Sequence, residues 1–171
     1  FGSITGVSAT FVALFVIFGA FMEVTKTGQF FTDLACRIAG KSNGGPAKIA
    51  VISSGLFGSI SGVAAANVYS TGVFTIPLMK QLGYKRRFAG AVEAAASTGG
   101  MLMPPVMGAG AFVMAEITGI SYVNIVIAAM LGSLLLYVSM VVRVHFTAQR
   151  EELSGVKEED MVPIKQVLKD S

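Results

Sequence analysis

From Ile49 to Pro77 the chain reads IAVISSGLFGSISGVAAANVYSTGVFTIP, a run without charge in which glycine, serine, threonine and asparagine recur. As one straight helix it would extend about 44 Å at ~1.5 Å per residue. That exceeds the ~30 Å hydrocarbon core of a bilayer. Lys48 and Lys80 bracket the run, with Lys41 outside one end and the cationic KQLGYKRR cluster, Lys80–Arg87, at the other. Lysine and arginine mark the inner side of a membrane, so both ends are expected on that side. The run then folds back on itself as a re-entrant helical hairpin. Its arms would be about 12 residues, or ~18 Å, each, and its tip would lie near Ser61–Asn67. Irregular backbone at that depth must be buried in protein or line a cavity.

Composition supports the membrane reading. Charged residues are 13% of the chain and apolar ones 53%, against about 25% charged in soluble domains. Three long, almost uncharged stretches cannot all be covered by so little polar material. The net charge of +3 reads as a topology signal, and no nucleic-acid partner is expected. The single Cys36 gives neither a disulfide framework nor a thiolate metal site. No serine–histidine–acid set or carboxylate pair is placed for catalysis, so an enzyme is not expected, nor is a resident cofactor. The chain begins without Met inside an apolar stretch and reads as a fragment of a longer protein.

The expected organisation follows the breakers. Residues 1–46 would hold a transmembrane helix, about Ile4–Met22, and an interfacial connector ending in GKSNGGP. Residues 47–80 would be the hairpin, 81–118 a broken transmembrane helix, 119–146 a plain transmembrane helix, and 147–171 a polar cytoplasmic connector. The break is expected at STGGMLMPP, Ser97–Pro105, because proline removes a donor and clashes with the preceding turn. In the last span, Tyr122–Val142, Arg143, His145 and Arg150 follow the apolar part and set its inner end. His145 reads as a boundary residue, Glu116 as an outer, solvated one, and the methionines as packing.

The two interruptions carry the candidate chemistry. Ser61, Asn67, Ser70 and Thr71 cluster around the hairpin turn. Hydroxyls, an amide and freed carbonyls are hard oxygen ligands for a small cation, and half-helix N-termini hold anions. In the break, Ser97 and Thr98 add hydroxyls, and Gly99 and Gly100 expose carbonyls. Glu93, about one turn before the break, is an intramembrane charge and a functional candidate by default. The direct rivals are another ion-coupled carrier, a helical channel and a structural membrane scaffold.

The stretches GKSNGGPAKIAVISSGLFGSISGVAAANVYSTGVFTIPLMKQLGY and AGAVEAAASTGGMLMPPVMGAGAFVMAE, spanning Gly40–Glu116, are specific. On these the chain resembles the large membrane subunit of tripartite ATP-independent periplasmic (TRAP) transporters. It is most similar to the fused permease type that works with TAXI-class solute-binding proteins. The resemblance implies an all-α integral membrane fold, about one inverted-repeat half of an elevator-type ion transporter. It implies sodium-driven uptake of an organic acid, a dicarboxylate or related carboxylate, in a multi-pass bacterial or archaeal inner-membrane protein. The implied partners are a periplasmic solute-binding protein, a small membrane subunit or fused equivalent, the remaining half of the permease and the lipid bilayer. The family's sodium region maps onto Ser61, Gly62, Asn67, Thr71 and Gly72 at the tip and onto Ser97, Thr98, Gly99 and Gly100 at the break. Two positions depart from the family pattern. Val63 stands where a serine is common, and Met101 where a glutamine is.

Overall fold

The computed structural model describes residues 2, 5–6, 9–10, 13–25, 27–153 and 155. The expected first span falls partly outside them, and so does most of the acidic tail. Seven α-helices of ten residues or more are present among the described residues: α1 Ala13–Val24, α2 Thr27–Ala39, α3 Gly45–Ser61, α4 Ala64–Gln81, α5 Arg86–Gly100, α6 Ala109–Thr118 and α7 Tyr122–Arg150. The described fold is an all-α bundle. One described helix, α7, is long and apolar enough to cross a membrane by length and composition.

Helix α3 is the axis of the bundle and touches α1, α2, α4, α5 and α7. It is buried on nearly every side, which suits a sequence of small and apolar residues whose single charge is Lys48 in the first turn. Left-handed glycines delimit it, Gly44 at φ 77° and Gly62 at φ 62°, and Pro46 sits in the first turn. Proline is tolerated there because its missing N–H would have no helical partner. At the other end the Gly62 N–H returns to the Gly58 carbonyl at 3.0 Å, a standard way to satisfy a terminal carbonyl. A side chain at Gly62 would also collide with the Met107 carbonyl oxygen.

The α3–α4 hairpin turns through Gly62 and Val63 alone, a tighter tip than the seven-residue Ser61–Asn67 region expected. Its arms are 17 and 18 residues, not about 12, so each reaches ~25 Å. The arms are longer than expected because the serines of α3 and Asn67, Thr71 and Thr75 of α4 sit within helix and do not interrupt it. The chain break also differs from expectation. Ser97–Gly100 form the last turn of α5, and the non-helical segment is residues 101–108. Glycine ends the helix late because Gly99 and Gly100 are packed against neighbours, which offsets their poor helix propensity.

Helix α7 runs 29 residues, so Arg143, His145 and Arg150 belong to its final turns and do not follow it. His145 is therefore a helix residue, with Nδ1 3.2 Å from Lys48 Nζ, which also donates to Ser42 Oγ at 3.0 Å. One flank of α7 packs on the bundle through Tyr137, whose hydroxyl donates to the Ala96 carbonyl at 2.7 Å. The other flank leaves Ile127, Met130, Leu131, Leu134, Leu135 and Val138 half-exposed or more, as a lipid-facing surface would be. Glu116 is exposed, as expected for a solvated residue. Met79 and Met107 are buried, and Met114 is exposed.

The feet of the hairpin and the C-terminal part of α7 meet at one end of the bundle. Built outward from Gly44, a Cβ would lie 2.8 Å from Ala148 Cβ and 3.3 Å from the Tyr84 hydroxyl. Nearby, Lys85 Nζ pairs with Glu151 Oε1 at 2.6 Å.

Candidate functional site

Helical spacing places Asn67, Thr71 and Thr75 four apart on the buried face of α4. Glu93, Ser97 and Gly100 likewise lie on the buried face of α5, and Ser54 faces them from α3. Residues three or four apart share a helix face, so three helices present one polar stripe each to a common centre.

That centre is Glu93, whose side chain is fully buried. Its Oε1 accepts from Thr71 at 2.6 Å, Ser54 at 2.8 Å and Ser97 at 3.2 Å. Its Oε2 accepts from Thr75 at 2.5 Å. The Asn67 amide lies beside this cluster, donating to the Ser54 carbonyl at 2.7 Å while its Oδ1 faces Thr71 Oγ1 at 3.3 Å. Buried polar groups require such partners, and here each arm of the hairpin supplies some of them to α5. The three helices are thereby tied by side chains as well as by packing.

Glycines make the close approach possible. A Cβ on Gly72 would come within 3.1 Å of Glu93 Cγ. At Gly58 it would lie 2.5 Å from the Gly100 Cα and 2.8 Å from Asn67 Nδ2. The α3 and α5 backbones therefore touch, with the Asn67 amide lodged beside the contact.

The hairpin tip is a second, different polar region. Ser61 is buried, and its hydroxyl has no hydrogen-bond partner. The adjacent Gly62 faces Met107 and Gly108 of the break, and the Val106 N–H donates to the Ser59 carbonyl at 3.0 Å. Tyr122 holds the break from the other side, its hydroxyl donating to the Pro105 carbonyl at 3.0 Å and to that of Val106. The tip thus combines an unpaired hydroxyl, a left-handed turn and crowded carbonyls.

The nine residues picked out in the sequence divide accordingly. Asn67, Thr71, Gly72, Ser97 and Gly100 gather at or beside Glu93, and Ser61 and Gly62 lie at the tip. Gly99 faces Leu136, Met140 and Tyr137 of α7. Thr98 is exposed and donates to the Ala94 carbonyl at 2.8 Å. Ser70 turns toward Gly28 of α2. Ser54 and Thr75 escaped notice, and Glu93 lies two turns before the break, not one. The pairs Thr71–Thr75 and Glu93–Ser97, each at a spacing of four, were the available signal.

The family described as the tripartite ATP-independent periplasmic transporter, DctM component, matches the chain over residues 1–171. A relative in Pseudomonas aeruginosa, the "C4-dicarboxylate TRAP transporter large permease protein DctM", is 31% identical over 85% of this chain and 34% of its own length. "Uncharacterized protein y4mL" of Sinorhizobium fredii is 29% identical over 80% of this chain and 32% of its own length. The "Isethionate TRAP transporter permease protein DctMQ" of Oleidesulfovibrio alaskensis is 32% identical over 61% of this chain and 16% of its own length. An all-helical bundle with one helix apolar and long enough to span is consistent with a helical membrane fold, and the matching family is one of transport proteins, not enzymes. This chain belongs to the DctM family of TRAP transporter permeases. It spans about a third of the length of the first two relatives.

Proposed function

We propose that this chain is about one inverted-repeat half of an elevator-type, sodium-coupled permease. Within the whole protein it would take up an organic acid delivered by a periplasmic solute-binding protein of the TAXI class. The carrying observation is the geometry of the hairpin. Both feet lie beside the cationic end of α7, around Lys48, Lys85 and His145, while the tip abuts a helix broken at residues 101–108. A re-entrant hairpin meeting a discontinuous helix is a pointer to a midplane site in secondary transporters.

The buried, unpaired Ser61 hydroxyl and the carbonyls around Gly62 and the break are the proposed seat for sodium at the tip. Of the other candidates, Asn67, Thr71, Gly72, Ser97 and Gly100 stand at the neighbouring Glu93 cluster and back the seat from within the bundle, while Gly99 faces α7 and Thr98 is exposed. The names of two relatives refer to C4-dicarboxylate and isethionate, both small organic anions, which supports an organic acid as cargo here. The protein would sit in the inner membrane as a multi-pass subunit with a small membrane subunit, fused or separate.

The test is uptake of labelled organic acids by the full-length permease in liposomes with its binding protein. We expect saturable uptake that requires an inward sodium gradient and is lost in Asn67→Ala at normal abundance in the membrane. Uptake indifferent to sodium, or conduction without saturation, would favour another ion or a channel. Full activity in Asn67→Ala would favour a scaffold role for this half.

A further inference from the structure

No lysine or arginine occurs in Ile49–Met79 or in Phe88–Val142. The cations of the hairpin, α5 and α7 therefore gather at the end of the bundle where the hairpin feet meet the last turns of α7. At and beside the turn from α4 to α5, Lys80, Lys85, Arg86 and Arg87 are all exposed. Lys85 pairs with Glu151 at 2.6 Å, yet its side chain stays 76% exposed, and exposed pairs are worth little. Lys80, Arg86 and Arg87 form no ion pair among the described residues. The first turn of α5 holds no acid to offset them.

The backbone beneath these cations is fixed. Gly83, at φ 94°, turns the chain out of α4, and the Tyr84 N–H donates to the Met79 carbonyl at 3.0 Å. Tyr84 is buried and stacks on Phe88, ring centroids 5.8 Å apart. The Ala89 N–H then reaches the Lys85 carbonyl at 3.0 Å. The charges thus stand on an ordered turn, which lowers the ordering cost of binding.

The surface beside them is apolar. Val73 and Phe74 of α4 are exposed, and Phe74 precedes Lys80 by about 9 Å of helix at ~1.5 Å per residue. On α7, exposed Val142 and Phe146 stand among exposed Arg143 and Arg150. Two helices pass from apolar to cationic surface at the same end.

The partner's chemistry follows from that succession. Guanidinium groups bind phosphate oxygens in a bidentate fork, and a polybasic cluster next to a spanning segment attracts anionic lipid. Free phosphate would match the charges alone. A lipid also covers the apolar flank with its acyl chains.

We propose that Lys80, Lys85, Arg86 and Arg87, with the apolar end of α4, form a docking surface for the phosphate headgroup of an anionic lipid in the inner leaflet. The proposal rests on the membrane placement of this end, and not on sodium coupling or cargo.

The experiment uses the full-length permease in mild detergent. Its thermal unfolding midpoint is titrated with phosphatidylglycerol, phosphatidylcholine or inorganic phosphate. A ligand of the folded state raises the midpoint with concentration. We expect phosphatidylglycerol to act at the lowest concentration. The triple variant Lys80→Gln, Arg86→Gln, Arg87→Gln should need about tenfold more of it or beyond. Arg87→Gln alone, with an expected shift of about fivefold, decides the matter if the triple variant fails to fold. Identical titrations in wild type and variants overturn the proposal, as does an equal response to both lipids. A full response to inorganic phosphate overturns it too and assigns a free anion to the turn. If the titration shifts as expected while uptake ignores sodium, the docking surface stands and the coupled-transport reading fails.

Discussion

The two polar regions of the hairpin are built on opposite terms. Around Glu93, hydroxyls from three helices converge on one carboxyl group and each finds a partner. At the tip, the Ser61 hydroxyl is just as buried and has none. A closed polar cluster adds rigidity, because removing any member strands the others. An open one costs stability and remains available to a ligand. One region holds the hairpin to α5, and the other faces the break, where a bound species can complete it.

Substitutions can break this comparison, beginning with its frame. Gly58→Val places a side chain where the α3 and α5 backbones touch. We expect about 3 kcal/mol of destabilisation, read as a lowered denaturation midpoint of the full-length protein in detergent. Asn67→Ala removes a fully buried amide and its bond to the Ser54 carbonyl, with an expected loss of about 1–2 kcal/mol in the same assay. The sharpest contrast is between two hydroxyl deletions. Thr75→Val should cost about 1 kcal/mol because its hydroxyl is engaged. Ser61→Ala should leave stability within about 0.5 kcal/mol or raise it, while lowering sodium-dependent uptake. Equal stability effects at the two positions would erase the distinction.

The smallest expected effect is at the foot of the hairpin. The Tyr84 hydroxyl is buried without a hydrogen-bond partner, and burial, then the Glu151 carboxylate, push its phenol up to about 12. The folded state therefore holds this proton more tightly than an unfolded tyrosine, which titrates near about 10. The stability contribution is fully present below that pH and is lost as pH rises through about 12. Tyr84→Phe should be near neutral at pH 7 and should flatten the alkaline fall in a pH series of unfolding midpoints.

Much of the frame was legible in the residues. Charge placement and length pointed to a fold-back between Lys48 and Lys80, and Gly and Pro located an interruption after Ser97. The limits were misplaced where packing overrides local preference. Gly99 and Gly100 remain helical because α7 and α3 press on them, which no local propensity encodes. Arg143 and His145 stay in helix because apolar content marks where a span leaves lipid, not where its backbone stops coiling. The convergence on Glu93 was hidden for another reason. Spacing shows that Thr71 and Thr75 share a face, and that Glu93 and Ser97 do. It does not show that those faces meet, nor that Ser54 points between them, because that depends on how three helices cross.

The unequal fastening of the hairpin has a mechanical consequence. Its root is pinned by the Lys48 contacts with His145 and Ser42 and by Gly44 wedged against Ala148 and Tyr84. Its far end is fastened to the break by the Val106–Ser59 backbone bond and by contact at Gly62. Such a hairpin is a lever held at its root and coupled to the break at its tip. A force applied at the break moves the tip most and the root least, and the stiff Glu93 joint partway along sets the length of the lever.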